Sequence, residues 1–102
     1  MITAEHVREY LRIPYTDDDV FIERIIRQGY DYLKDAIDDY ETLYADNPTF
    51  SGKCDMWILT HWTPGAYDQR EGMFTGNSEM DYAARAMLTQ LQLYRKDKNH
   101  GN

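Results

Sequence analysis

The 102-residue sequence has a single cysteine, Cys54, which excludes an internal disulfide and suits a reducing compartment. Basic side chains are also scarce. Lys and Arg total 11 against 18 Asp and Glu, a net charge of -7, and this argues against broad phosphate binding, which works by neutralising phosphates with Lys and Arg. No uncharged apolar stretch approaches the ~20 residues that a membrane span needs. The opening MITAEHVREY carries charge at Glu5, Arg8 and Glu9 and has no secretory leader pattern. Phosphate-binding glycine motifs, zinc-type cysteine spacings, nucleophile elbows and HExxH are all missing. The expectation is a soluble, intracellular protein with no catalytic residues, cofactor, metal or membrane association.

What remains is an ordinary globular composition, 42% apolar and 28% charged, at the size of one domain. The charge is unevenly placed. Residues 1–52 hold five basic and twelve acidic side chains, whereas residues 53–102 hold six of each. The division expected is a helical domain over 1–94 and a flexible, weakly basic tail over 95–102, RKDKNHGN, which contains Arg95, Lys96 and Lys98.

Apolar positions recur at steps of three and four, and no stretch of four or more residues alternates convincingly as a strand would, so the fold class is all-α: a small bundle of about four helices. Thr3 caps a short first helix over about 4–12 that Pro14 ends. Thr16 and Asp17–Asp19 open a second, long helix over about 17–46, which Asn47-Pro48 stops. Gly29 on its apolar face costs up to ~1 kcal/mol relative to alanine, which predicts a close helix crossing there. A third helix near Lys53–Thr63 is apolar almost all round and is broken by Pro64-Gly65. An irregular region spans 63–80, with a loop at Gly72–Ser78, and Ser78 or Asp81 caps a last helix.

Cys54 and His61 lie seven apart on one helix face, but two groups do not make a structural zinc site, and buried structural roles are the reading preferred over a nucleophile and base. Asp17–Asp19 lacks the spacing, glycine and closing glutamate of a calcium loop, which leaves helix capping. Asp31, Asp35 and Asp39 follow at i, i+4, i+8 with Asp38 and Glu41 alongside, and repel each other with only Lys34 interleaved. Such a stripe is either a solvated face or a surface of negative potential that meets another polyanion without holding it. Nine tyrosines are many for this length. Tyr30, Tyr40 and Tyr44 read as core, while Tyr15, Tyr67, Phe74 and Tyr82 flank loops or helix starts, where aromatics anchor interfaces. These features favour an interaction protein over an enzyme.

One pattern is more specific. Met1-Ile2-Thr3 with Glu5, Val7 and Tyr10–Ile13, then Asp17–Asp19 with Ile22 and Ile26, then Tyr32-Leu33, resembles the opening of the head-tail connector (adaptor) family of tailed bacteriophages and prophages, also described as DNA packaging proteins. The run MWILTHW at Met56–Trp62, followed by Tyr67 and Gln69-Arg70-Glu71, is similar to that family's apolar helix and its Asn-Arg-Glu motif, and LQLYR at Leu91–Arg95 is similar to its closing positions. Thr63–Ala66 stands where the family helix is often continuous, so an interruption is expected; Met80-Asp81 stands where a proline often precedes the last helix.

The resemblance implies a structural virion protein at the head-tail interface, assembled in the host cytoplasm. It implies a ring, typically dodecameric, beneath the portal protein. That ring extends the DNA channel and docks the next head-completion, stopper or tail protein, without catalysis. The acidic stripe of Asp31, Asp35, Asp38 and Asp39 is then a candidate lining of the channel, past which DNA moves without specific binding, and Tyr67, Arg70, Phe74, Tyr94, Arg95, Lys96 and Lys98 are candidate interface residues. The alternative is a small acidic regulator or inhibitor that mimics DNA through the same stripe.

Overall fold

The computed structural model describes residues 1–69 and 80–95, and these are helical with no strand among them. Helix α1, Ala4–Leu11, starts as expected. Thr3 accepts from the His6 amide at 3.3 Å, and His6 Nδ1 accepts in turn from the Thr3 amide at 3.0 Å, a reciprocal cap with histidine in place of the usual Glu or Gln. The chain leaves α1 through Arg12 in the left-handed region, φ 59°, with the Ile13 amide on the Arg8 carbonyl. Helix α2, Asp19–Ala36, buries Ile22, Ile25, Ile26, Gly29, Tyr30 and Leu33 on one face. Its first carboxylates serve tertiary contacts instead of capping: Asp18 accepts from the Tyr67 hydroxyl and Asp19 holds Arg8 Nε at 2.9 Å, while Thr16 contributes its carbonyl to the Asp19 amide.

The long helix expected over 17–46 is two helices. Ile37 is extended and buried, Asp39 is left-handed at φ 59°, and α3, Tyr40–Asp46, begins after it. An unbroken helix gives its Ala36 carbonyl an amide four residues on; here Gln92 Nε2 donates to it at 2.9 Å. Aspartate tolerates the left-handed conformation better than most residues, so the turn falls at Asp38-Asp39.

Asn47-Pro48 both stops α3 and starts the next helix. Asn47 Oδ1 accepts from the Phe50 amide at 3.1 Å, and proline occupies the first helical position, where a missing N–H costs nothing. Helix α4, Pro48–Trp57, therefore begins earlier than the apolar run alone implies. It does not break at Pro64. A π-helical turn, Ile58–Trp62, leads directly into α5, Thr63–Asp68, so residues 63–68 are helix and not loop.

The turn solves the proline's problem. The Thr63 amide bonds the Ile58 carbonyl, five residues back, and Pro64 has no amide to offer the Leu59 carbonyl. The Thr63 hydroxyl takes that role at 2.9 Å, which is how a fully buried threonine is satisfied. Helix α6, Tyr82–Gln92, is capped by Asp81, whose Oδ1 accepts from the Ala84 amide at 2.8 Å. Ser78, the other candidate cap, the loop at 72–78 and the tail from Lys96 onward lie outside the described residues.

The core gathers around the helical path 48–68. Phe50, Cys54, Trp57 and Ile58 are inaccessible to solvent, and Trp62 nearly so. Trp57 Nε1 donates to the Ala84 carbonyl of α6 and Trp62 Nε1 to the Ile25 carbonyl of α2, both at 2.9 Å. The close crossing predicted at Gly29 is present: a methyl group there would lie 2.7 Å from both Ile58 Cδ1 and Trp62 Cδ1.

Two glycines therefore respond oppositely to alanine. Gly29→Ala overpacks the crossing and destabilises by ~1–3 kcal/mol, whereas Gly52→Ala, with nothing within 4 Å of the new methyl group, stabilises α4 by up to ~1 kcal/mol. Urea unfolding of the two variants measures both signs.

Candidate functional site

A carboxylate inside the apolar helix organises the side of the bundle formed by α2, α3 and α4. Asp55 Oδ1 accepts from the hydroxyls of Tyr30 and Tyr44, each at 2.6 Å, and the Tyr30 oxygen accepts from the Ile2 amide at 3.0 Å. Short bonds of this kind belong to charged acceptors. The two rings meet edge to face, 6.2 Å apart. Burial, reinforced by the bond to Asp55, pushes both phenols up from their ordinary value of 10.0. Burial does the same for Tyr40. Asp55 Oδ1 thus ties α2 and α3 to α4, and the segment before α1 joins them through the Tyr30 oxygen.

Outside this cluster runs an open groove of about 400 Å³ between α2 and α3. Tyr30, Tyr40 and Tyr44 line it, with Arg27, Asp31, Lys34 and Glu41 around them. Lys34 Nζ reaches Glu41 at 3.1 Å across the break between the helices, and that hydrogen bond raises the lysine above its usual range. Both partners are solvent-exposed, so the pair contributes little.

Asp31, Asp35, Asp38 and Asp39 are all exposed, but they do not form one stripe. Asp31 and Asp35 sit on α2, while Asp38 and Asp39 belong to the turn that ends it, so the i, i+8 register of Asp39 is lost. Of the interface candidates, Tyr67 is half-buried on α5, its hydroxyl donating to Asp18 and its ring 6.1 Å from Phe21. Tyr94 packs edge to face on Phe50 at 5.1 Å, with Lys53 Nζ 5.7 Å from its ring centre. Arg95 is exposed, and its guanidinium donates to the carbonyls of Gln92 and Tyr94. Arg70, Phe74, Lys96 and Lys98 lie outside the described residues.

Cys54 and His61 meet different partners. Cys54 is buried beside Tyr40 and Asp55, and burial first, then the Asp55 charge, pushes its thiol up to about 12, so it is held protonated. His61 Nε2 lies 3.2 Å from Met87 Sδ of α6. The π turn between the two positions alters the spacing that would align them. Among the described residues, no three His, Cys, Asp or Glu side chains gather as a metal site, and no helix is long and apolar enough to cross a membrane. Asp55 escaped the sequence reading, although one signal was available: a lone carboxylate in the run KCDMWILTHWT needs a partner wherever that helix is buried.

No protein-family model, curated protein or solved structure matches the chain.

The buried thiol and phenols set the alkaline behaviour. The unfolded chain releases their protons near the ordinary values of 9.0 and 10.0, while the fold retains them, so the unfolded state binds fewer protons and stability falls as pH rises from about 9. Thermal melts between pH 7 and pH 11 follow this decline. At neutral pH, Tyr30→Phe removes a bond to a carboxylate and leaves the Ile2 amide without its acceptor; urea titration is expected to show a loss of ~1–3 kcal/mol.

Proposed function

We propose that the protein is a head-tail connector of a tailed bacteriophage or prophage: a structural subunit that joins a ring under the portal protein, extends the DNA channel and docks a head-completion or tail protein. The observation that carries this reading is the opening pattern from Met1 to Leu33, continued by Met56–Trp62 and Leu91–Arg95. Part of that pattern lies in the core of the bundle. Thr3 caps α1, Val7, Ile22, Ile26 and Leu33 are buried, and Trp57, Trp62 and Leu91 complete the core.

The surface is compatible with such a role. Residues that a monomer leaves in water include Tyr10, Tyr15, Val20, Met56, Tyr82 and Leu93, apolar side chains that a ring subunit has neighbours to cover. Asp31, Asp35, Asp38 and Asp39 are exposed, and carboxylates presented to a channel repel phosphates, so DNA passes without adhering. Separation of Asp38 and Asp39 from the α2 face spreads this charge over a helix and a turn, an arrangement less like a regular ladder of phosphates than the unbroken stripe that a DNA mimic calls for.

Native mass spectrometry of the chain mixed with the portal protein encoded in the same genome tests the proposal. The expected result is a cyclic oligomer of the chain bound to the portal. A chain that stays strictly monomeric at high concentration with the portal present overturns it.

A further inference from the structure

Helix α6 packs chiefly on α4, and it buries Ala84, Leu88 and Leu91 there. The Ala84 carbonyl accepts from Trp57 Nε1 at 2.9 Å, and Met87 Sδ lies 3.2 Å from His61 Nε2. At the other end the Gln92 side chain donates to the Ala36 carbonyl and Tyr94 packs on Phe50. The face that α6 covers is therefore a docking surface whose occupant is seated in the structure, matched in shape and in hydrogen bonds. The rest of the bundle is joined by contacts in which α6 takes no part: the crossing at Gly29, the Asp55 cluster and the pair of Arg8 with Asp19.

Two further observations bear on which copy supplies the occupant. Residues 69–81 connect α5 to α6, and a connection of that length spans up to ~45 Å, whereas the molecule measures 26 Å along its middle axis. The chain can therefore reach the α4 face of an adjoining copy. Apolar side chains also remain in water at both ends of the α4–α6 seam. Met56, next to Trp57, is 52% exposed, Tyr82 at the start of α6 is 85% exposed, and Leu93, next to Tyr94, is 65% exposed. A closed monomer leaves them uncovered, and two copies adjoining along the seam cover them.

We propose that α6 is exchanged between copies on assembly: it seats on α4 of the neighbouring copy, against Phe50, Trp57 and His61, in the place that the neighbour's own α6 holds in the free chain. Each internal contact is replaced by the same contact between copies, so the balance is decided by the surface newly covered at the seam against the cost of association. The exchange rests on the ring reading above and names the joint between subunits. Helix and seat lie at different places on the chain, so each copy gives its α6 to one neighbour and receives another from the copy on its other side, a heterologous series that closes into a ring.

The test uses the full chain with the portal protein present. His61 and Met87, both half-buried, are replaced by cysteine singly and together, and a short bismaleimide joins the two thiols while native Cys54 is buried. Linked in the free chain, His61→Cys with Met87→Cys is a monomer by mass with α6 locked onto its own α4, and it is expected to lose assembly on the portal. Each single variant, capped with N-ethylmaleimide, is expected to assemble at the parent concentration. Linked after assembly, the double variant is expected to give a ladder beyond the dimer on denaturing gels, with peptide mapping joining the two positions across different chains. Rings in which the reagent joins these positions only within one chain or in closed pairs, or a locked monomer that assembles at the parent concentration, overturn the exchange and leave the connector reading standing. A parent chain that never assembles with the portal overturns both.

Discussion

Two indole N–H groups on one helix hold the bundle in its arrangement. Apolar burial is non-directional, but a buried donor must find its acceptor, and an unpaired one costs about 1–3 kcal/mol. Trp57 reaches into α6 and Trp62 into α2, so the helical path over 48–68 fixes the rotation of both. Their separation follows from the same residues. The Trp62 ring that donates to Ile25 also fills the space above Gly29, and this lets α2 approach to within side-chain contact. Helix α1 is then placed through α2, by Val7 in the core and the Arg8 to Asp19 bond at the edge.

The acidic excess is divided between two uses. Asp18, Asp19 and Asp55 each accept a hydrogen bond from a distant side chain, and thereby join α5, α1 and the α2–α3 pair to the rest. Asp31, Asp35, Asp38 and Asp39 remain in water. A carboxylate is most valuable where a phenol or guanidinium can be brought to it with partial exclusion of solvent. The net charge of the first half therefore contains both structural anchors and a free surface field, which composition alone cannot separate.

The sequence made much of this legible. The all-α class, the Thr3 cap, the end of α1 before Pro14 and the crossing at Gly29 all follow from local rules acting on a few residues. At the break after Ala36 and at Asp55 a distant side chain supplied what the local pattern lacked, and at Pro64 a neighbouring hydroxyl did. Periodicity runs unbroken through Ile37 because that residue is buried whether the helix continues or turns, and what permits the turn is Gln92, 56 residues away from Ala36. Pro64 reads as a breaker because its missing amide normally leaves a carbonyl unsatisfied, and the Thr63 hydroxyl removes that penalty. Asp55 was legible as an anomaly but not as a cluster, since its phenol partners lie 25 and 11 residues away.

The π turn at Ile58–Trp62 has a consequence for how this chain tolerates change in length. A wider turn holds one more residue than the α-helix around it, so residues beyond it emerge rotated relative to an uninterrupted helix by roughly the 100° that one residue subtends. Tyr67 meets Asp18, and Phe21 beside it, only in that phase. Loss of a single residue from the turn would close it to an ordinary α turn and leave α4 and α5 in their present phase. In evolutionary terms, the turn absorbs a change of one codon in length while the packing on either side of it is kept.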